Sequence, residues 1–127
     1  MVTYEAVTDT ISVRVSPVYI DGRSDPLKRQ FVFGYFVRIE NGGERDVQLL
    51  RRKWLIRHGS GHIEEVDGEG VIGIQPVIAA GQSHVYNSYC VLQSFEGYME
   101  GFYTMEWAGG ERFQATIPRF WLRAAAN

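Results

Sequence analysis

The 127-residue chain carries 13 Lys and Arg against 15 Asp and Glu, for a net charge of -2 with no basic tract, which excludes the electrostatic footprint of a nucleic-acid binder. With 45% hydrophobic and 22% charged residues it is neither disordered nor of low complexity, and its length suits a single domain over 1–127 whose core needs no staple. Its one cysteine, Cys90, cannot form an internal disulfide and fits a reducing cytoplasm.

The N-terminal MVTYEAVTDT carries Glu5 and Asp9 and lacks the apolar segment of a secretory signal. No apolar run approaches the roughly 20 residues that span a bilayer, so no membrane insertion is expected. Ile11, Val13 and Val15 then alternate with Ser12, Arg14 and Ser16, the pattern of a strand with one buried face. Pro17 cannot donate to a ladder and limits that strand to an edge or a bulge, which makes homo-oligomerisation through an edge strand an expectation.

Past the turn-rich DGRSDP, residues Phe31, Phe33, Tyr35, Val37 and Ile39 hold one parity, and Val32 and Phe36 make the other partly apolar: a central strand. Asn41-Gly42-Gly43 reads as a hairpin turn of positive-φ residues, and the chain returns through Val47, Leu49, Leu50, Trp54 and Ile56. The apolar parity flips between Leu49 and Leu50, which predicts a β-bulge there. Gly59-Ser60-Gly61 turns the chain into the short strand HIEEV, and DGEGVIGIQPVIAAG follows as a long loop with at most a brief extended piece.

A further strand covers about 83–89. Tyr98, Phe102, Met105 and Trp107 lie in an aromatic-rich strand closed by Ala108-Gly109-Gly110, and the last strand holds Phe113, Ala115 and Ile117 before Pro118 ends its pairing. Seven to nine short strands joined by glycine turns, with no amphipathic helix of useful length, indicate an all-β antiparallel sandwich or barrel.

Gly68-Glu69-Gly70-Val71-Ile72-Gly73 is a literal GxGxxG. A dinucleotide site needs a buried strand before it and a helix N-terminus after it, whereas here the preceding strand is acidic and Pro76 follows within three residues. A phosphate nest of glycine amides needs no helix, but Glu64, Glu65, Asp67 and Glu69 oppose an anion unless Arg51, Arg52 and Lys53 on the adjoining strand offset them. The 59–61 hairpin brings an arginine opposite Glu69 in either register, which also suits plain cross-strand ion pairs. The same acids with His62 match no metal loop, and Glu64 and Glu65 of one strand point to opposite faces, so no metal is expected. No cofactor motif and no nucleophile with an activating base appears; Cys90 reads as a buried, inert thiol and the chain as a non-enzyme.

The segments VRIENGGERDVQLLRRKWLI (37–56), VDGEGVIGIQPVIAAGQSHVYNSYC (66–90), GYMEGFYTMEW (97–107) and ERFQATIPRFWL (111–122) together resemble the ApaG (CorD) domain. Two departures are Cys90-Val91-Leu92, where the family usually has Cys-Pro-Leu, and Ile74, where a polar or acidic residue is common. The resemblance implies a fibronectin type III-like or immunoglobulin-like sandwich, a genetic association with cobalt resistance and magnesium efflux, and a reading of the glycine motif as a pyrophosphate or nucleotide site. Three functions are therefore weighed: a protein-interaction module, a weak phosphate or nucleotide binder at the GEGVIG loop, and a direct divalent-cation binder. The surface expected to recognise a partner comprises Gly68, Glu69, Gly70, Gly73 and Gln75 of the 66–76 loop together with the aromatics Tyr89, Phe95 and Tyr98 of the 89–97 region.

Overall fold

Alternation sorts the side chains as the sequence predicts: Ile11, Val13 and Val15 are fully buried, while Ser12, Arg14 and Ser16 lie toward solvent. Repeated along nine strands, that sorting builds an all-β antiparallel sandwich of the fibronectin type III-like and immunoglobulin-like kind. The computed structural model describes residues 2–124. The strands are β1 Tyr4–Thr8, β2 Ile11–Tyr19, β3 Phe31–Asn41, β4 Val47–His58, β5 Ile63–Glu69, β6 Val77–Ile78, β7 Ser83–Leu92, β8 Glu96–Trp107 and β9 Arg112–Arg123. One sheet runs β1-β2-β3-β7 and the other β5-β4-β8-β9, with β6 paired to the start of β4 beyond the end of β5. No helix is long and apolar enough to cross a membrane among the described residues.

The core lies between the sheets and centres on Trp54 of β4. Its ring meets Tyr35, Tyr103 and Phe120 edge-on, with centroids at 5.7, 6.4 and 5.9 Å, an arrangement aromatic quadrupoles favour. On one flank β1 and β2 pack against β9, and the Thr116 amide donates to Thr8 Oγ1 at 3.0 Å. On the other flank β7 and β5 share no ladder, and the sandwich opens.

Several local expectations change. Pro118 does not end the last strand: β9 runs on to Arg123, because the register steps from Gly101↔Ile117 to Met99↔Phe120 and leaves Pro118 in a bulge, where its missing N–H costs no ladder bond. Pro17 lies beyond the end of β1, whose pairing stops at Tyr4↔Val15, so β2 is an edge only locally. Asn41-Gly42-Gly43 is not a hairpin, since β3 and β4 belong to different sheets and none of the three residues has positive φ.

The buried Asn41 side chain directs that crossing. Its Nδ2 donates to the carbonyls of Arg45 and Ile78 at 2.8 and 3.0 Å, and its Oδ1 accepts from the Gly43 amide. Gly43 serves close packing: a Cβ there would meet Thr10 Oγ1 at 2.8 Å. β1 was not foreseen.

Candidate functional site

The bulge predicted at Leu49–Leu50 is present, and it builds the glycine segment. It turns the Leu50 carbonyl toward the chain leaving β5, where it accepts from the Gly70 amide at 2.8 Å and from Gln75 Nε2 at 2.9 Å. Between these anchors the chain makes a two-residue hairpin rather than a long loop: Val71 and Ile74 exchange backbone hydrogen bonds of 2.8 and 3.1 Å. Its central pair, Ile72 and Gly73, has φ of 47° and 76°, and Gly70 has 61°.

A Cβ on Gly70 would sit 2.0 Å from the Ile74 carbonyl oxygen. The GxGxxG spacing thus answers to backbone shape, and the amides of Gly70, Val71 and Ile74 are already bonded within the chain. Gln75 is a brace of the turn.

Register sorts the charges beside it. Arg51 pairs with Glu69 and Arg52 with Gly68, so Arg51, Lys53, Glu65, Asp67 and Glu69 share the outer face. There Arg51 meets Asp67 at 3.1 Å and Lys53 meets Glu65 at 3.8 Å, while Glu69 is exposed. Arg52 faces inward over Gly68, where a Cβ would meet its guanidinium at 3.0 Å, and its Nη1 donates to the carbonyls of Glu69 and Gly70, both at 2.9 Å.

Arg52 enters a partly enclosed cleft of about 140 Å³ at the open flank, also lined by Tyr35, Tyr86, Ser88, Ile72 and Gly73. The Tyr86 and Tyr103 hydroxyls lie 2.5 Å apart, and burial pushes both well above the ordinary phenol range. Burial likewise raises Tyr35, whose hydrogen bond with Ser88 partly opposes the shift. These hydroxyls stay protonated near neutral pH.

Further along the same inner face, Cys90 is partly buried against the core. Burial pushes its thiol up to about 12, with the Glu64 carboxylate adding to the shift. Glu64 accepts from His58 Nε2 at 2.7 Å, and His58 Nδ1 accepts from the Gln93 amide at 3.1 Å, which places the imidazole proton on Nε2. His58 is wholly buried and ties the 59–62 turn to the 93–95 turn. No group of three or more His, Cys, Asp or Glu could hold a metal ion among the described residues.

The residues expected to share one recognition surface fall into three places. Gly68, Glu69, Gly70, Gly73 and Gln75 belong to the hairpin beside Leu50, whereas Phe95, 54% exposed, sits beside Phe31 and the turn after His58. The two turns are at opposite ends of β4, roughly 25 Å apart along an extended strand. Tyr89, 68% exposed, points to the outer face of β3 and β7 with Phe36, Val85 and Val91. Tyr98 is only 9% exposed: Trp121 stacks edge-on at 5.2 Å and the Arg119 guanidinium lies 4.1 Å from its ring centroid. It is structural. Sequence reasoning missed Tyr35 and named Arg52 only as an offset to the acids of β5; the register and the open flank set both beside Tyr86.

A family model described as the ApaG domain matches residues 21–107. Protein ApaG of Mesorhizobium japonicum is 46% identical over 117 residues, covering 92% of this chain and 90% of its own, and Protein ApaG of Brucella canis is 43% identical over the same shares. The crystal structure of the putative ApaA protein from Bordetella pertussis superposes with a TM-score of 0.89 at 38% identity, covering 92% of this chain and 95% of that one. By family model, sequence identity and fold together, the chain belongs to the ApaG domain family.

Proposed function

We propose that this chain is a non-catalytic cytoplasmic binding module that recognises a protein partner through the tip of the 70–74 hairpin. One observation carries the reading: Ile72, a β-branched residue, is held at φ 47° and is 61% exposed. A left-handed β-branched residue costs roughly 1–2 kcal/mol, and Asn or Gly would make this turn without that cost. Strain kept at an exposed position marks a segment whose side chain matters beyond the fold. Ile74 and Val77 extend the exposed aliphatic surface, and Glu69 sets a carboxylate beside it. The fitting partner is a protein with an apolar socket and a basic rim. On this reading any link to cobalt or magnesium handling runs through that partner.

Ile72→Asn separates recognition from folding, because Asn suits the left-handed position and should leave the melting temperature equal or higher. In affinity capture from a native cytosolic extract, Ile72→Asn and Glu69→Ala should lose the partner that the wild type retains. Phe95→Ala, at the far end of β4, should keep it. Undiminished capture by both Ile72→Asn and Glu69→Ala sinks the proposal.

A further inference from the structure

We propose that the cleft between β7 and the 70–74 hairpin binds a tetrahedral oxyanion of the phosphate class, held by the Arg52 guanidinium and the hydroxyls of Tyr35, Tyr86 and Ser88. The site lies on the inner side of the hairpin; it shares Ile72 with the partner contact assigned to the tip but takes all its donors from other residues. It differs from a glycine nest, because the backbone amides of Gly70, Val71 and Ile74 are already committed.

Charge sorting is the first ground. The acids of β5 that would repel an anion are turned away: Glu65, Asp67 and Glu69 are on the outer face, and Glu64 is bonded to His58 further along. Arg52 has no carboxylate partner among the described residues. Only Nη1 is engaged, by two carbonyl oxygens, which leaves the Nε and Nη2 protons of a permanently charged group beside the cleft.

Proton counting is the second. Two neutral phenols hold two hydroxyl protons, and the Tyr86–Tyr103 contact places one between the oxygens. Tyr103 is fully buried, so the second proton falls to Tyr86, which lines the cleft and has no other hydrogen-bond partner among the described residues. Tyr35 and Ser88, cross-strand partners on the same inner face, each add a hydroxyl to the lining. Every polar side chain lining the cleft can donate, and none is a carboxylate. Such a lining calls for an acceptor-only guest.

Size and direction give the class. At about 140 Å³ the cleft is well below the roughly 300 Å³ at which small-molecule pockets begin, so it excludes a nucleoside and admits a single oxyanion group. The donors come from β3 and β7 in one sheet and β4 in the other, so they approach out of a common plane. That suits four tetrahedral oxygens better than a flat carboxylate.

The test is a titration of the whole chain with sodium phosphate at pH 7, at ionic strength matched with sodium chloride, followed by backbone amide chemical shifts. Saturable shifts are expected at Gly70 to Gly73 and Tyr86 to Ser88, absent in chloride and weaker in sodium acetate. Arg52→Gln should abolish them, and Ser88→Ala, with an unchanged melt, should weaken phosphate binding by about threefold or more. Because Arg52 also braces two carbonyls, Ser88→Ala and Tyr35→Phe decide the matter if Arg52→Gln does not fold. Phosphate shifts no different from those in chloride, or the same affinity in every folded variant, overturn the site; acetate binding as tightly as phosphate overturns the tetrahedral assignment.

Discussion

Leu50 and Gly70 are joined by a 2.8 Å hydrogen bond from the Gly70 amide to the one carbonyl that the β4 bulge turns out of its ladder. A one-residue irregularity in β4 therefore fixes where the glycine hairpin starts, and the fit is tight. Gly70→Ala forces a Cβ to within 2.0 Å of the Ile74 carbonyl oxygen and should cost more than about 2 kcal/mol. Gly73→Ala meets open space and should lose only about 1 kcal/mol, for its positive φ. Urea unfolding of the two variants checks the order; equal losses would show that the close approach does not matter.

His58 is a second anchor, buried at the far end of β4. Replacing it by Leu keeps volume near the core but leaves the Gln93 amide without its acceptor, and the expected loss is about 2–3 kcal/mol. Glu64→Ala takes the acceptor from the buried His58 Nε2–H, but from a half-exposed position that water can reach, and should cost less, about 1 kcal/mol. Denaturant midpoints for the two variants would settle the ranking.

His84 gives stability a dependence on pH. Its Nε2 is buried with no hydrogen-bond partner among the described residues, and desolvation holds its pKa below the ordinary imidazole value. The unfolded chain takes up a proton near pH 6.5, and the folded chain only at lower pH. Stability is therefore full above about pH 6.5 and falls as pH drops toward the folded value, because the unfolded state binds more protons across that window. The wild-type melting temperature should decline from pH 7 to pH 5.5. His84→Phe, which keeps a ring beside Tyr86, should flatten that decline.

Cys90 should behave as an inert thiol. With its pKa pushed up to about 12, almost none is thiolate at pH 8. Labelling by a disulfide reagent should be slower by at least about a hundredfold in the native protein than in urea. Comparable rates would place the sulfur at the surface.

Much of this fold is legible in the sequence because one strand face is buried at a time. The alternation at Ile11 to Val15 and Phe31 to Ile39 gives the strands directly, and the parity flip at Leu49–Leu50 gives the bulge. Pro118 misleads, since proline stops a regular ladder and only the register reveals a bulge that accepts it. Asn41-Gly42-Gly43 misleads in another way: its composition suits a tight turn, yet the burial of Asn41 sends the chain across to the other sheet. Arg52 was hidden between Arg51 and Lys53, three cations that differ only by which face of β4 they occupy. Tyr35 reads as a core aromatic because what sets it apart is the missing strand pairing at the open flank.

The seam that β1 and β2 make with β9 bears on how the chain folds. Residues near 8 and 116 must meet before that flank closes, and joining segments so far apart in sequence fixes a long loop before it is rewarded by contacts. During synthesis the first two strands emerge well ahead of their packing surface on β9, so the buried faces of Val13 and Val15 wait in water until the last strand leaves the ribosome. Folding of this sandwich is thus expected to be slow and late, with completion governed by the arrival of its final dozen strand residues.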